Sequence, residues 1–246
     1  MHRRILILFF SLTSLISLEL SASGNTKIES FSKAKKHLFN EVFTTTSDRK
    51  TLYCGAVYNQ KKQVTLPEGY KSEKYKKRQR KVEAEHIVPA ENFGRTFEEW
   101  REGHKLCVYS KGKSFKGRNC ASKVNKDYRF MRSDLYNLYP AIGANNAFRQ
   151  NYNFALLPEA KSAFGSCDMR LKDRKIQPPE NSRGIIARTY MYMEQTYPRY
   201  KMSKKQRKLM NEWDKQYPVT ADECRRAKTI EQIQGNKNLV LRDRCK

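Results

Sequence analysis

The sequence predicts a single α+β domain of mixed helices and strands, reinforced by disulfide bonds. Short apolar segments typical of strands alternate with segments whose apolar residues recur every three or four positions, as on the buried face of a helix. The 14 tyrosines and 12 phenylalanines are spread along the whole length, and no glycine-rich or proline-rich linker divides the chain. These observations favour one domain over two.

The N-terminal residues predict an export signal. Two arginines precede an apolar run at residues 5–16, and small residues follow at 21–24. We expect residues 1–23 to be a signal peptide and residues 24–246 to form the mature domain. An uncleaved anchor is the alternative, but the run is shorter than the ~20 apolar residues of a membrane-spanning helix. The sequence therefore predicts a periplasmic or secreted protein with no membrane span.

The first half of the mature chain predicts two helices and one strand, separated by charged loops. Apolar residues at helical spacing predict an amphipathic helix from residue 27 to about 43. Residues 51–58 are a strand candidate. The lysine-rich segment 71–81 is interpreted as a solvent-exposed loop, slightly favoured over a phosphate-binding clamp. The spacing of three aromatic residues predicts a short helix at residues 93–100, followed by a glycine- and lysine-rich loop at 103–123.

The second half predicts a strand and three helices. Residues 135–139 form the strand candidate, and residues 141–151 read as a helix directly after it. An aromatic and aliphatic stripe predicts a helix over 186–197. The last predicted helix begins at a capping box formed by Ser203 and Gln206 and ends before the next proline.

Strong positive charge indicates a polyanionic partner. The formal net charge is +25 and falls to about +24 once the predicted signal, with two arginines and one glutamate, is removed. Nucleic acid is the commonest partner of such a surface, because each neutralised phosphate releases condensed counterions. Charge alone leaves a cell surface or an acidic membrane as alternatives.

Six cysteines in a chain with an export signal predict disulfide bonds. A structural zinc site is poorly supported, because there is no C-x-x-C pair and histidines are few. Fifteen pairings are open for six cysteines. Closeness in sequence favours two short pairs and leaves one long-range pair. The three expected bonds are Cys107–Cys120, Cys224–Cys245 and Cys54–Cys167.

A carboxylate stands beside an imidazole at Glu85 and His86, next to an apolar stretch. Adjacent side chains of an extended strand point to opposite faces, so both can serve one site only where the strand ends or bends. Pro89 makes such an ending credible. The other histidines of the mature chain, His37 and His104, have no comparable neighbours. Alone, the pair is a weak indication of catalysis.

Further segments strengthen that indication, because with them the chain matches the motifs of one protein family from Tyr53 to Cys245. The most specific matches are residues 85–90, 133–143 followed by Asn146, 183–190, 217–224 and 233–238. In these segments the chain resembles the endonuclease I family of secreted and periplasmic nucleases, which are ββα-metal (His-Me finger) nucleases. The resemblance implies a fold built around a ββα-metal core, with additional helices and disulfides.

The resemblance also implies roles for individual residues. His86 is the expected general base, and Glu85 and Asn146 are the expected ligands of one divalent metal ion. That ion is expected to be Mg²⁺, with Ca²⁺ or Mn²⁺ able to take its place in binding. Mg²⁺ prefers oxygen ligands and keeps several waters, so one carboxylate and one amide oxygen suffice. A neutral imidazole can accept a proton from water near pH 7.

The family uses an arginine to neutralise phosphate charge, and Arg118 is the nearest match. Arg149 lies three residues beyond Asn146, on about the same helix face, and is the second candidate for a substrate contact. A surface arginine without a special role is the alternative for each. Asn137 is interpreted as an amide that pins the loop around the imidazole rather than as a second metal ligand. Asp134 is interpreted as a hydrogen-bonding or capping group.

The combined prediction is an exported, Mg²⁺-dependent endonuclease, a phosphodiesterase hydrolase that cuts DNA with little sequence preference. RNA is left open as a second substrate, and we expect a monomer. Contacts to the nucleic-acid backbone rather than to base edges suit such an enzyme. The alternatives are a non-catalytic basic DNA-binding protein with the same fold and, last, a cationic toxin acting on membranes. The intact set of Glu85, His86 and Asn146 favours the enzyme.

Overall fold

A computed structural model describes residues 23–245 and has the mixed α+β composition that the sequence predicts. The predicted signal peptide, residues 1–23, lies outside the described residues except for its last position. The helices are α1 (Phe31–His37), α2 (Ala90–Gly94), α3 (Glu98–Arg101), α4 (Arg118–Val124), α5 (Lys126–Arg132), α6 (Gly143–Arg149), α7 (Arg183–Thr196), α8 (Lys204–Gln216), α9 (Ala221–Gln234) and α10 (Leu239–Arg242). The strands are β1 (Val82–His86), β2 (Leu138–Ile142), β3 (Asn153–Phe154), β4 (Ser162–Phe164), β5 (Cys167–Lys172) and β6 (Lys175–Gln177).

The strands form two small sheets. β1 and β2 pair antiparallel, with Glu85 opposite Tyr139 and His86 opposite Leu138. The other sheet has four strands in the order β3-β6-β5-β4. Helix α6 begins directly after β2, so the chain runs from the β1–β2 pair into that helix without a loop.

The hydrophobic core draws on residues from Ile28 to Ile230, and the packing of α7 along α8 is one part of it. The stripes that predict these helices face the core: Tyr190 on α7 and Trp213 on α8 are buried, and Leu209 is partly buried against them. Phe154 joins them, with its ring centroid 6.0 Å from that of Tyr190 and 6.4 Å from that of Trp213. The Ser203 hydroxyl accepts the backbone N–H of Gln206 at 3.1 Å, which is half of the predicted capping box; the Ser203 N–H has no return bond to the Gln206 side chain among the described residues. Between residues 23 and 245, every helix is too short or too polar to cross a membrane.

All three predicted disulfide bonds are present. They join Cys107 to Cys120, Cys224 to Cys245 and, across 113 residues, Cys54 to Cys167. The long bond ties the segment before β1 to the start of β5.

Two elements of the first half differ from the sequence prediction. The helix predicted from residue 27 begins at Phe31, because the Asn25 side chain accepts the backbone N–H of Ile28 and holds the preceding residues in a turn. Its end is a π-helical turn at Leu38–Val42. The strand predicted at 51–58 is wrong: the segment is a turn with isolated bridges, closed by a bond from the Gly55 N–H to the Thr51 carbonyl at 2.9 Å.

Two boundaries near the predicted site residues also differ. The strand predicted at 135–139 lies at Leu138–Ile142, because Asp134 caps a 3₁₀ turn by accepting the backbone N–H of Tyr136. The helix that follows is correspondingly shorter than the predicted 141–151.

Other elements were divided or missed. The helix predicted at 93–100 is split into α2 and α3, and the loop predicted at 103–123 ends where α4 begins. Helix α9 and the four-stranded sheet were not predicted. The signal for α9 was present in Thr220 and Glu223, which form its capping box.

Candidate active site

One cavity brings together all five predicted site residues. Its volume is about 570 Å³, and it lies where β1 ends against α6. The residues of the predicted site that line it are Glu85, His86, Arg118, Asn146 and Arg149. Phe31, Arg78, Glu91, Gln150 and Asn151 are among the other lining residues.

The turn after β1 is fixed by Asn137, as the sequence predicts. Its amide oxygen accepts the backbone N–H of Val88 at 2.7 Å, and its amide nitrogen donates to the Val88 carbonyl at 3.0 Å. Its own carbonyl accepts the N–H of Ile87 at 3.0 Å. The strand therefore ends at His86, and Glu85 and His86 line the same cavity although they are adjacent in sequence.

The His86 imidazole is held in one orientation. Its Nε2 lies 2.8 Å from the carbonyl oxygen of Arg132, and because a carbonyl only accepts, Nε2 carries the proton and Nδ1 is the acceptor. The ring of Phe31 stacks on the imidazole at 5.0 Å between centroids. Burial lowers the pKa of His86 to about 3, and the nearby cations of Arg118, Arg132 and Arg149 act in the same direction. The imidazole is therefore neutral at pH 7.

The Glu85 carboxylate is buried and held by two donors. The Tyr53 hydroxyl donates to Oε1 at 2.8 Å, and Nη1 of Arg149 lies 3.4 Å from the same oxygen. Burial raises the pKa of Glu85 to about 7, and Arg149 and Tyr53 oppose that increase. Since both contacts engage Oε1, Oε2 is the oxygen left for a cation.

Arg149 lies beneath the site rather than projecting from it. Its side chain is 1% exposed, and it donates to the carbonyl oxygens of His86, at 2.8 Å, and of Ile87. Its guanidinium also packs on the Phe154 ring, 4.9 Å from the centroid. The residue thus connects the end of β1 to the aromatic core.

Asn146 is oriented by a residue that the sequence interpretation missed. Its amide nitrogen donates to Glu83 Oε2 at 2.8 Å, which leaves the amide oxygen available to a ligand in the cavity. Arg78 in turn donates to Glu83 Oε1 at 2.9 Å. Glu83 lies two positions before Glu85, on the same face of the strand, and this spacing could have indicated it.

Among the described residues that line the cavity, Arg118 is the arginine whose guanidinium is unpaired. It is exposed at the start of α4, and no hydrogen bond or ion pair to another residue between 23 and 245 engages its guanidinium. Its charge contributes to the low pKa of His86.

Asp134, interpreted from the sequence as a hydrogen-bonding group, is buried outside the cavity. Its carboxylate accepts bonds from the Tyr136 N–H, the Tyr192 and Tyr197 hydroxyls and the Gln234 amide.

The donor set fits a magnesium ion. One buried carboxylate, of Glu85, and one amide oxygen, of Asn146, line the cavity, and both are the hard oxygen donors that Mg²⁺ prefers. Within residues 23–245, no group of three or more His, Cys, Asp or Glu side chains could hold a metal ion. Two protein ligands are enough for Mg²⁺, because this ion keeps several of its waters.

A neutral imidazole, oxygen donors and a free arginine around one cavity indicate a hydrolase that acts on phosphate esters. Comparison with known proteins identifies the family. Residues 27–242 match the family model described as Endonuclease I, and the chain belongs to the endonuclease I family. As a member of that family it is a nuclease, and the family implies a divalent metal ion.

Individual relatives cover most of the chain. Endonuclease-1 of Buchnera aphidicola subsp. Acyrthosiphon pisum (strain APS) is 38% identical over 201 residues, which are 79% of this chain and 74% of the relative. An extracellular deoxyribonuclease of Aeromonas hydrophila is 34% identical over 246 residues, covering 97% of this chain and 98% of the relative. A periplasmic deoxyribonuclease of the same organism is 33% identical, with 97% and 95% covered.

Proposed function

We propose that this chain is an exported, Mg²⁺-dependent endonuclease that hydrolyses phosphodiester bonds of DNA with little sequence preference. The observation that carries the proposal is the fixed orientation of the His86 imidazole, with Nε2 bound to the Arg132 carbonyl and Nδ1 left as an acceptor. In this proposal β1, β2 and α6 are the ββα-metal core, with the base at the end of the first strand and Asn146 on the helix.

The base works as a neutral acceptor. Nδ1 of His86 takes a proton from a water in the cavity, the water oxygen bonds to the phosphorus, and the bond from phosphorus to the 3′-oxygen breaks, leaving a 5′-phosphate and a 3′-hydroxyl that takes its proton from solvent. The Arg132 carbonyl keeps the ring in the tautomer that this step requires. Glu85 and Asn146 would hold the Mg²⁺ ion, which would supply positive charge that stabilises the developing negative charge of the reaction.

The two arginines have different roles in the proposal. Arg118, exposed and without a protein partner among the described residues, contacts the phosphate and offsets the charge that develops on it. Arg149 is a positioning residue instead of a phosphate contact, because its guanidinium is engaged by Glu85 and by the carbonyls of His86 and Ile87.

The net charge and the names of the relatives support DNA as the substrate. The relatives and the disulfide bonds support export from the cytoplasm. The relatives from Aeromonas hydrophila are named extracellular and periplasmic deoxyribonucleases, and three disulfide bonds suit an oxidising compartment. The net charge of +25 favours contacts to the phosphate backbone, which carry no sequence information. A non-catalytic DNA-binding protein is the alternative that the charge alone would allow.

Plasmid cleavage tests the proposal. With Mg²⁺, the protein purified after export is expected to convert supercoiled plasmid to nicked and linear forms, and EDTA is expected to stop this conversion. A parallel reaction with single-stranded RNA tests whether the substrate range extends beyond DNA. Tight, salt-sensitive DNA binding by folded protein without cleavage under any divalent metal would instead support the DNA-binding alternative.

Replacing Tyr53 by phenylalanine is expected to weaken metal binding by about tenfold or more, the usual effect of losing a partner of a metal ligand. The change removes the hydroxyl that donates to Glu85 Oε1 and leaves the ring in place. Mn²⁺ affinity measured by electron paramagnetic resonance gives the result without relying on activity. Tyr58→Phe is the matched control, because this buried hydroxyl has no hydrogen-bond partner within the described residues. Equal affinities for the two variants would contradict the role of Tyr53.

A further inference from the structure

A strongly basic loop lies beside the catalytic cavity. This basic loop, residues 71–80, contains six lysines and arginines and one glutamate. All six cations are exposed. Among the described residues, only Arg78 of the six forms an ion pair, with Glu83. The other five positive charges therefore face solvent without an acidic partner in the part of the chain that the structure describes.

The basic loop is packed against the helix that carries Asn146. The 3₁₀ turn at Lys76–Arg78 contacts α6, and Arg78 itself lines the cavity. The fit is close: a Cβ atom at Gly143, the first residue of α6, would lie 2.7 Å from the Arg78 carbonyl oxygen and 2.6 Å from Glu83 Oε1. The loop is thus part of the rim of the site, and the bonds from Arg78 to Glu83 and from Asn146 to Glu83 connect it to a proposed metal ligand.

An exposed aromatic residue in an unfavourable conformation stands in the middle of the basic loop. Tyr75 has φ 60° and ψ 31°, the left-handed region that residues with a Cβ atom rarely adopt. It is 40% exposed, and Lys74 and Lys76 flank it. Backbone strain of this kind concentrates at ligand-binding segments. An exposed ring among cations is the usual platform for stacking a nucleobase while phosphates are held on either side.

From these observations we propose that the basic loop is a clamp for a single strand of DNA that enters the catalytic cavity. Lys74, Lys76 and Lys77 bind successive phosphates, and the ring of Tyr75 stacks on a base of the same strand. The clamp rests on the proposed nuclease function and adds to it a preference for unpaired DNA next to the cut. Because the loop packs on α6, the strand is held next to His86 and Asn146.

DNA binding measured in the absence of cleavage tests whether the lysines of the basic loop contact phosphates. Fluorescence anisotropy in EDTA, at several salt concentrations, would follow a labelled single-stranded 20-mer and the corresponding duplex. The variant Lys74→Gln/Lys76→Gln/Lys77→Gln is expected to reduce the slope of log affinity against log salt by about 2 for the single strand, since each lost phosphate contact removes about 0.7. The control Lys204→Gln/Lys205→Gln/Lys208→Gln changes the same number of exposed charges on α8 and should reduce the slope by less than about 0.7, the value of one contact.

Tyr75→Ala tests the stacking contact separately. We expect about a tenfold loss of affinity for the single strand with an unchanged salt slope, because a stacked base contributes no phosphate contact. Affinity for the duplex should change by less than about twofold, since its bases are paired and stacked on one another. Circular dichroism checks that each variant is folded. If the triple lysine variant does not fold, the single change Lys76→Gln replaces it, with an expected slope reduction of about 0.7.

The outcomes separate this proposal from the nuclease function. The clamp would be overturned if the triple lysine variant of the basic loop left the salt slope unchanged. It would also be overturned if that variant changed the slope no more than the α8 control does. A Tyr75→Ala effect that is equal for single strand and duplex would overturn it as well. If the salt slopes and affinities are those expected for the clamp but no Mg²⁺-dependent cleavage occurs, the nuclease function would be overturned and the clamp would stand. A wild-type chain that binds no DNA would overturn both.

Discussion

Replacing His86 by alanine is expected to reduce the rate of DNA cleavage by about 10³-fold, within the usual range for a positioned general base. The imidazole lies between the Arg132 carbonyl and the Phe31 ring, and its low pKa keeps it neutral at pH 7. No neighbouring side chain in the described part of the cavity offers a second neutral acceptor of this kind. Single-turnover nicking of supercoiled plasmid at saturating Mg²⁺ measures the loss directly.

Measurements of DNA and Mn²⁺ binding show whether His86→Ala slows the hydrolysis step itself or weakens binding of DNA or metal. DNA affinity in EDTA and Mn²⁺ affinity should stay within about twofold of the wild-type values, because the phosphate contacts and the proposed metal ligands are other residues. His104→Ala is the control, since this histidine is exposed in a loop outside the cavity. A His86→Ala protein that cuts within tenfold of the wild-type rate would rule out the role of His86 as the base.

The features of the site that depend on neighbouring residues in the sequence were predictable. A proline three positions after His86 indicated that the strand ends there, and the structure places Glu85 and His86 on one cavity. The interpretation of Asn137 as a residue that pins the turn agrees with its bonds to Val88. Of the fifteen open pairings, closeness in sequence favoured the one with two short bonds and left Cys54–Cys167 as the remaining pair, and all three bonds are found.

What could not be predicted depends on contacts between distant segments. Tyr53 reaches Glu85 across 32 positions, and no local pattern relates the two. The helical spacing placed Arg149 on the face of Asn146 but could not reveal that carbonyl groups at the end of β1 engage its guanidinium. The strand predicted at 51–58 failed for a different, local reason: turn hydrogen bonds to Thr51 close the chain around Gly55, which has φ 62°, so the segment does not extend.

The disulfide bond between Cys54 and Cys167 is expected to contribute most to stability among the three. It closes a loop of 113 residues, against 13 for Cys107–Cys120. In the chain-entropy description the longer loop is worth about 4.8 kcal/mol and the shorter about 2.9 kcal/mol. The double variant Cys54→Ala/Cys167→Ala should therefore lower the free energy of unfolding by about 2 kcal/mol more than Cys107→Ala/Cys120→Ala. Guanidinium unfolding followed by circular dichroism, with an m-value fitted for each variant, measures the difference.

Metal affinity distinguishes what the long disulfide does for the site from what it does for the fold. Cys54 directly follows Tyr53, whose hydroxyl holds Glu85 Oε1, so loss of this bond should also weaken Mn²⁺ binding under conditions where the protein is fully folded. The Cys107–Cys120 bond is close in sequence to Arg118 and, within the described residues, makes no contact with the side chains of Glu85 or Asn146, so its removal should leave Mn²⁺ affinity within about twofold. Equal losses of stability in the two double variants would contradict the loop-length argument. Unchanged Mn²⁺ affinity in Cys54→Ala/Cys167→Ala would show that the packing around Tyr53, which is 1% exposed, holds the hydroxyl in place without the bond.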